Sequence, residues 1–576
     1  MNKVLKELIK FKFSIIIIFI TIIGSVFCTL SLPNCLSDII NYGVAEHDLN
    51  FIFRMGGIMF TLSVLGMILN IITGFYSSKV SMGIGRNLRN NVFKKTQKFS
   101  LQEFDSFSTS SLITRTNNDI TQIQNFFLMF LKIIVMSPIM CIGGVIMTFS
   151  KSAFMSSIIF FSIPILILGV YSISKRAIPL SSKMQKKIDS VNLVMREKLK
   201  GIRVIRAFVT EDYETKRFNS VNTDLMANSL RMQRTIALME PLLMLVLNMT
   251  ILILVYIGEA QAKGGFVAVG DIIAIIQYVM QIMISVTMMS VIFVMYPRAA
   301  ASASRINEIM EKELSVQDKE NAVNCTKLKG EIVFKNVKFC FSGSEAPALD
   351  DISFRANPGE TTAIIGNTGS GKSILVKLIM RYYDVTSGEI LIDGINIKDY
   401  NLHSLRKKIG YAPQKALLFK KSIKENIKMG DEHASEDMIL KSAEISQSLE
   451  FINKKEKKLE SEISQGGKNV SGGQRQRLAI ARAIVRTPQI YIFDDSFSAI
   501  DVKTERSLRD ALFKETLDST VIIVAQRISS VMNADRIIVL DAGKAVGIGK
   551  HEELIKNCKI YQEIARSQLF DEEVGA

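Results

Sequence analysis

The stretch Ile490-Tyr-Ile-Phe-Asp-Asp-Ser-Phe-Ser-Ala-Ile-Asp501 decides the fold of the second half of this chain. Its apolar first four residues end in two adjacent carboxylates, Asp494 and Asp495. A short apolar run that stops at polar residues is typical of a fully buried strand. The stretch therefore predicts a strand that carries two acidic groups to a nucleotide site.

A phosphate loop precedes this strand in the sequence. Its residues are Gly366, Asn367, Thr368, Gly369, Ser370, Gly371, Lys372 and Ser373. They follow a predicted strand and open a predicted helix, so that backbone N–H groups and the helix N-terminus can hold phosphates. We expect Lys372 to reach the β- and γ-phosphates and the Ser373 hydroxyl to bind Mg²⁺. A chance glycine-rich turn is a poor alternative, because the acidic strand follows.

The first half of the chain is far more apolar. Hydrophobic residues make up 48% of the 576 residues, and mean hydropathy is +0.24, which is high for a soluble protein. A membrane span needs roughly 20 mostly apolar residues. Six stretches meet this requirement, at about 13–36, 51–78, 127–149, 153–174, 236–259 and 270–297.

The net charge of +16 is distributed as in a membrane protein. Cations are dense before the first span and in the long loops after spans two and four, whereas the alternate short connections carry few, mainly Lys151 and Lys263. This asymmetry places both termini and the long loops in the cytoplasm. No aromatic-basic module for nucleic acid is present, so we expect no nucleic-acid partner. The predicted location is the cell membrane, with a lipid bilayer around the spans.

We expect an α-helical six-span transmembrane domain at 1–312, with long cytoplasmic helical loops, and a linker at 313–329. An α/β domain with a largely parallel sheet follows at 330–576, because β-rich runs alternate there with helical patterns. Strands are predicted at 361–365, 490–493 and 521–525, and a hairpin turn at 541–544. The six scattered cysteines indicate neither a zinc site nor a disulfide framework.

Five further elements occur in a fixed order around the phosphate loop and the acidic strand. They are Phe341, Gln414, the helix-opening sequence Val470-Ser471-Gly472-Gly473-Gln474, Asp501 and Gln526. Together the seven elements resemble the ATPase domain of the ATP-binding cassette (ABC) transporters over about residues 330–570. The Ser-Gly-Gly-Gln signature separates that family from other P-loop proteins. The six upstream spans resemble those of an exporter-type half-transporter, as do the loop sequences 112–115, 118–119 and 201–208.

The resemblance implies an ATP site with Mg²⁺. Phe341 would stack on adenine, residues 366–373 would bind the phosphates, and Ser373, Gln414 and Asp494 would hold Mg²⁺, partly through water. ATPase domains of this family pair head to tail, so Ser471, Gly472, Gly473 and Gln474 would serve the partner's nucleotide. Asp501 closes the motif of the acidic strand. Two coupling helices are expected, near 104–108 and near 210–214.

Two positions depart from the family pattern. The family usually has Glu, as general base, where this chain has Asp495, and His, as the switch residue, where it has Gln526. The shorter carboxylate is misplaced for activating water, and Gln cannot carry the positive charge of His. The chain therefore resembles the degenerate-site subunit of bacterial heterodimeric multidrug exporters, with a different half-transporter as its partner. The alternatives are a homodimeric exporter with slow hydrolysis and an ATP-gated channel or regulator that does not pump.

Spans five and six are rich in methionine, with eight between Met239 and Met295. Flexible thioethers suit an adaptable cavity, although many of these side chains equally suit contact with lipid. The expected substrate is a small hydrophobic or amphipathic compound, drug-like or lipid-like. Drugs, lipids and peptides all remain open at this point.

Overall fold

A computed structural model describes residues 7–574 of the chain. It forms two compact units. The first contains the residues before Lys98 together with Ser108–Lys312, and the second contains Lys98–Phe107 together with the chain from Glu313 onward. The short segment Lys98–Phe107 thus lies with the second unit, although its sequence position is within the expected transmembrane domain 1–312.

The first unit consists of helices and short turns, with no strand over the described residues. Its α-helices, together with α3 of the second unit, are α1 Lys12–Asp38, α2 Leu49–Thr96, α3 Leu101–Phe107, α4 Thr109–Thr114, α5 Ile120–Met129, α6 Met136–Lys151, α7 Ala153–Ala207, α8 Glu211–Ala237, α9 Met239–Lys263 and α10 Val269–Glu311. Short π-helical segments extend α1, α4 and α5 at their C-terminal ends, at Ile39–Val44, Arg115–Asp119 and Phe130–Ile134.

Six helical segments of the described chain are long and apolar enough to cross a membrane. They are Lys12–Val44, Leu49–Thr96, Thr109–Lys151, Ala153–Ala207, Glu211–Lys263 and Val269–Met289. The prediction of six spans is confirmed. The helix α7 has 55 residues, or about 80 Å at 1.5 Å per residue, whereas the hydrocarbon core is only about 30 Å thick. The helix α7 is therefore long enough to continue well beyond a bilayer, and its extension into the cytoplasm stays a prediction.

Capping side chains start the helices that follow the tight outer connections. Asp48 accepts a hydrogen bond from the backbone N–H of Phe51 at 3.1 Å, and Ser152 accepts one from Met155 at 3.3 Å. A side-chain oxygen at this position satisfies one of the four free N–H groups of a helix start. These caps let one helix end and the next begin within a few residues.

The second unit contains two sheets. A four-stranded antiparallel sheet has the order β2-β1-β4-β5, and a six-stranded sheet has the order β10-β9-β3-β8-β7-β6. The strands are β1 Ile332–Phe339, β2 Leu349–Ala356, β3 Thr361–Gly366, β4 Ser387–Ile392, β5 Ile395–Asn396, β6 Ile409–Ala412, β7 Ile490–Asp494, β8 Thr520–Val524, β9 Arg536–Asp541 and β10 Lys544–Gly549. All neighbours in the larger sheet pair in parallel except β9 and β10.

Besides α3, nine α-helices accompany these sheets in the described part of the unit. They are α11 Lys372–Ile379, α12 Leu402–Lys407, α13 Ile423–Lys428, α14 Glu436–Ile445, α15 Leu449–Asn453, α16 Gly472–Ile484, α17 Val502–Glu515, α18 His551–Asn557 and α19 Lys559–Val574. The three predicted strands are confirmed within one residue at either end. The predicted hairpin is confirmed as well: Ala542 and Gly543 both have positive φ, 45° and 81°, as a two-residue turn between antiparallel strands requires.

The central strands are the most buried elements of this unit. Every residue of β7 and of β8 is buried, whereas β2 alternates between buried and exposed positions. Strands covered on both faces read as continuous apolar runs, and half-covered strands alternate. The acidic strand β7 is therefore an interior strand, between β8 and the edge strand β6, and its carboxyl end lies where ligands bind in open α/β sheets.

The helix α3 belongs to the second unit through the buried carboxylate of Glu103. Its two oxygens accept hydrogen bonds from the backbone N–H groups of Ser100, at 2.6 Å, and Ser315, at 3.0 Å. Leu101 packs against the apolar core of the same unit, and the Tyr383 hydroxyl lies 3.5 Å from Asp105. The expected coupling helix near 104–108 is thus a helix that begins at Leu101 and ends at Phe107.

The second expected coupling helix, near 210–214, differs from the prediction. Residues 208–210 form a turn, and Glu211 begins the 27-residue helix α8. The first turn of α8 contains Glu211, Asp212 and Glu214, and acidic groups stabilise a helix N-terminus. Nothing in the sequence then stops the helix, so these residues are its start and not a separate short helix.

The linker expected at 313–329 is irregular but is not free. Val316 and Cys325 are buried in the second unit. The backbone N–H of Val323 donates to the carbonyl of Asp399 at 2.8 Å, and Asp318 accepts from the backbone of Leu402 at 2.9 Å. The polar composition that marked a linker thus reflects hydrogen bonding to the surface of this unit.

Candidate nucleotide site

The phosphate loop joins β3 to α11, as the sequence predicts. Gly371, at the N-cap of α11, has φ 98°, and a Cβ on Gly366 would lie 2.1 Å from the carbonyl oxygen of Leu540. Only glycine tolerates these positions without strain. The Nζ of Lys372 donates to the carbonyls of Gly366 and Asn367, at 2.7 Å each. Burial lowers the pKa of Lys372, against the opposite influence of the nearby carboxylates.

Asp494 ends β7 and faces the first turn of α11. Its Oδ1 accepts from the Ser373 hydroxyl at 2.8 Å, and its Oδ2 accepts from the Tyr411 hydroxyl at 3.3 Å. The residue is only 2% exposed. Burial raises the pKa of Asp494 above its ordinary value, and the hydrogen bonds from Ser373 and Tyr411 offset part of that rise.

Asp495 follows directly and is held by two amides. Its Oδ2 accepts from the side-chain Nε2 of Gln526 at 2.8 Å and of Gln414 at 3.1 Å. Burial raises the pKa of Asp495, while these two hydrogen bonds act in the opposite direction. Its φ of 49° is left-handed, a conformation that Asp adopts more readily than most residues. The structure thus brings together the acid and switch positions that the sequence singled out.

Phe341 presents a partly exposed ring beside the loop that follows β1. It is 41% exposed and meets Phe339 and Tyr383 edge to face, with centroids 5.0 Å and 5.8 Å apart. Edge-to-face contacts hold an aromatic ring in a fixed orientation. The exposed face of Phe341 is available for stacking on a planar base.

The signature residues open α16. Ser471 accepts from the backbone of Gln474 at 3.2 Å, and the Gln474 side chain accepts from the backbone of Ser471 at 3.0 Å. This capping box fixes the helix start. Ser471 is exposed, and Gly472, Gly473 and Gln474 are half-buried, so the helix N-terminus faces outward. Asp501 is not part of this group: it caps α17, accepting from Thr504 at 2.9 Å.

The residues present suit a nucleoside triphosphate with Mg²⁺. The Ser370 hydroxyl is buried without a partner among the described residues, beside a loop whose glycines keep the backbone open. The Ser373 hydroxyl and the Asp494 carboxylate are hard oxygen ligands of the kind that Mg²⁺ prefers, and Gln414 supplies an amide oxygen nearby. Bound Mg²⁺ would neutralise phosphate charge, and Lys372 would add a second cation.

Two side chains of this region were not singled out by the sequence. Tyr411 lies on β6, next to β7 in the sheet, and its hydroxyl reaches Asp494. Gln568 lies on α19, and its side chain binds the backbone on both sides of Arg527. A sequence signal existed only for Gln568, which lies seven residues after the buried Tyr561 and thus on the same helical face.

Comparison with known proteins agrees with this architecture. The family model described as ABC transporter transmembrane region matches residues 15–286, and that described as ABC transporter matches residues 349–498. An uncharacterized ABC transporter ATP-binding protein of Mycobacterium tuberculosis is 38% identical over 96% of this chain and 95% of its own length. An ATP-dependent lipid A-core flippase of Vibrio vulnificus is 29% identical over 92% and 90%.

Among solved structures, a bacterial Atm1-family ABC exporter with ATP bound superimposes with a TM-score of 0.81. The match covers 97% of this chain and 98% of that chain at 22% identity, and it shows the shared fold. A six-span helical domain followed by an ABC ATPase domain implies ATP hydrolysis coupled to transport. The chain therefore belongs to the ABC transporter family, as a multi-pass membrane half-transporter of the exporter type whose ATPase domain lies in the cytoplasm.

Proposed function

We propose that this half-transporter pairs with a second, different half-transporter to export hydrophobic or amphipathic compounds. Its own nucleotide site binds ATP but hydrolyses it slowly, and its signature completes a competent site on the partner. The observation that carries this proposal is the state of Asp495, whose carboxylate ends one carbon early and is tied by Oδ2 to two glutamine amides.

A general base must lie within hydrogen-bond reach of the water that it activates. Aspartate falls short of glutamate by one C–C bond, about 1.5 Å, and a misplacement of about 1 Å can cost on the order of 10²-fold in rate. Gln526 can donate to a γ-phosphate oxygen but brings no positive charge. His551, which lies near the end of the domain in sequence, does not supply this charge: its Nδ1 is hydrogen-bonded to the Tyr561 hydroxyl at 2.7 Å.

The binding side of the site is intact, in contrast with its catalytic side. Lys372, Ser373 and Asp494 are the residues that would hold phosphate and metal, and Phe341 would offer a ring face to adenine. The signature is intact as well, with its capping box formed and Ser471 exposed. In this proposal the catalytic residues of this chain's own site are impaired, whereas its signature residues are functional. A pair of unlike chains can use this signature at the partner's competent site and this chain's own site for ATP binding.

The substrate proposal rests on the membrane unit and on the relatives. Many large apolar side chains of α1, α2, α6, α7 and α9 are exposed in the single chain, so they face lipid, a partner chain or an apolar substrate. Some of the relatives that align over about nine-tenths of this chain are ATP-dependent lipid A-core flippases. We therefore place lipid-like amphiphiles first among the candidates, with drug-like apolar compounds second.

The test compares two variants in the paired complex. This chain is co-expressed with a neighbouring half-transporter that carries Glu and His at the two positions, and ATPase activity is measured with and without the candidate amphiphile. Asp495→Asn should leave most of the turnover, because that site is slow already. Ser471→Ala should remove most of it, because the signature serves the partner's competent site.

The opposite pattern would refute the proposal. A lone chain that forms dimers and hydrolyses ATP briskly, with activity abolished by Asp495→Asn, would be a homodimeric exporter with two working sites. Turnover that never responds to any transported amphiphile, together with conductance across a bilayer, would favour an ATP-gated channel.

A further inference from the structure

The amide side chain of Gln568 holds the loop that follows β8 at two points. Its Oε1 accepts from the backbone N–H of Ile528 at 2.7 Å, and its Nε2 donates to the carbonyl oxygen of Gln526 at 2.7 Å. Both ends of one side chain thus bind the same short stretch of backbone. The side chain of Gln526 then donates to Asp495 at 2.8 Å.

The helix that carries Gln568 is itself fixed in the core. Tyr561 is 0% exposed and Ala565 is 1% exposed, and both belong to the apolar core beneath the larger sheet. The Tyr561 hydroxyl also bonds to Nδ1 of His551 at 2.7 Å. Positions 561, 565 and 568 share one face of α19, so the buried face of the helix delivers Gln568 to the loop.

The same helix borders the phosphate loop. A cavity of about 270 Å³ is lined on one side by residues 366–368 of the phosphate loop and on the other by α19, and both Gln526 and Gln568 line it. A shift of α19 would therefore move the Gln526 backbone relative to the loop expected to bind phosphate.

We propose that Gln568 is a positioning residue for the switch glutamine: it fixes the backbone of Gln526 so that the side-chain amide points at the γ-phosphate position beside Asp495. Gln526 has an exposed side chain and lies in a loop. Without the two hydrogen bonds from Gln568 to this loop, the side-chain amide of Gln526 would sample many directions. The inference rests on the proposed ATP site, in which Gln526 faces the γ-phosphate. Gln568 itself touches no nucleotide in this scheme and acts only through Gln526.

The expected signature is a loss of discrimination between ATP and ADP. Only ATP has the γ-phosphate that Gln526 would contact, so loosening Gln526 weakens ATP binding and leaves ADP binding unchanged. A typical hydrogen bond contributes about a factor of five to an equilibrium. Removal of the two hydrogen bonds of the Gln568 side chain should therefore lower the preference for ATP over ADP by about five- to tenfold.

The experiment uses the full chain in detergent with Mg²⁺ and measures both affinities by competition with a fluorescent ATP analogue. Gln568→Met keeps the size of the side chain and removes both hydrogen bonds, and Gln568→Glu keeps the acceptor for Ile528 but not the donor. The matched control is Gln562→Met, on the same helix, whose side chain donates to the carbonyls of Ile555, at 2.8 Å, and Lys556, at 3.2 Å.

Support is a five- to tenfold fall in ATP preference for Gln568→Met, with no change for Gln562→Met and no further fall when Gln568→Met is added to Gln526→Ala. Residues that act as one unit show this non-additivity, whereas general loosening of α19 would affect both helix variants and both nucleotides. An unchanged preference in Gln568→Met and Gln568→Glu, while Gln526→Ala lowers it, overturns this inference alone. An unchanged preference in Gln526→Ala overturns the proposed switch role as well.

Discussion

Restoring the reach of the acid at position 495 should accelerate ATP hydrolysis at this chain's own site. In Asp495→Glu the carboxylate moves outward by one C–C bond, about 1.5 Å. If misplacement of about 1 Å accounts for a loss on the order of 10², the substitution should raise kcat by roughly 10- to 100-fold. Adding Gln526→His supplies a group that can carry positive charge toward the γ-phosphate, and it should raise kcat further.

Two features of the structure oppose this gain and set its lower bound. Asp495 has φ 49°, and residues other than Gly, Asn and Asp lose about 1–2 kcal/mol in the left-handed conformation. The amides of Gln414 and Gln526 also meet Oδ2 at 3.1 Å and 2.8 Å, and a longer side chain displaces that oxygen. We therefore expect a less stable variant that turns over faster, with a fall in Tm of about 2–4 °C for each kcal/mol lost.

The assay is phosphate release by the purified full chain in lipid nanodiscs with saturating Mg²⁺ and ATP. Every site in such a preparation contains position 495 of this chain, so turnover reports that site without a partner's contribution. Asp510→Glu makes the same substitution on the exposed surface of α17 and should change nothing. If Asp495→Glu and the double variant bind ATP normally and hydrolyse it no faster than the wild type, reach is not what limits this site and our reasoning is refuted.

Three other predictions concern single side chains. Phe341→Ala should weaken ATP binding about 5- to 150-fold, since aromatic–base stacking contributes about 1–3 kcal/mol. Phe513→Ala, exposed on α17, is the control in the same binding assay. Asp494→Asn should abolish Mg²⁺-dependent ATP binding. The same variant should have a higher Tm at pH 7, because burial raises the pKa of Asp494 and the ionised carboxylate therefore destabilises the fold above that pKa. Glu103→Gln should lower Tm at pH 7, because hydrogen bonds from Ser100 and Ser315 outweigh the effect of burial and lower the pKa of Glu103. The wild type loses the stabilisation from the ionised Glu103 as pH falls through this lowered pKa. An equal difference in Tm between variant and wild type at pH 7 and at pH 4 would contradict this.

Much of the fold and of the ATP site follows from local sequence. The apolar run before Asp494 predicts the buried strand β7, and the glycines before Lys372 predict a loop of unusual backbone conformation. These signals are strong because each can be read from a few adjacent residues: an apolar run that indicates a buried strand, and glycines that permit a left-handed turn. The six spans are predictable for the same reason, since a bilayer requires an uninterrupted apolar stretch.

The remaining features depend on contacts between residues far apart in the chain. Ser315 bonds to Glu103, more than two hundred residues earlier, so composition alone placed 98–107 with the spans and 313–329 in a linker. The contact of Tyr411 with Asp494 follows from the pairing of β6 with β7, which no single segment specifies. The left-handed conformation of Asp495 could not be predicted from the sequence either, because Asp tolerates this conformation without requiring it.

If this site hydrolyses ATP slowly, as we propose, the geometry at position 495 bears on two explanations, weak basicity and short reach. Both glutamine amides donate to Oδ2. Among the described residues Oδ1 has no hydrogen-bond donor, so it is available to accept a proton from water. Burial moreover raises the pKa of Asp495, which makes the ionised carboxylate a stronger base than an ordinary aspartate. An available oxygen and a raised pKa argue against weak basicity, and the short side chain of Asp495 argues for insufficient reach. The consequence for the pH profile is definite: activity is lost as pH falls through the raised pKa, and above it the wild type and Asp495→Glu both reach plateaus, of unequal height.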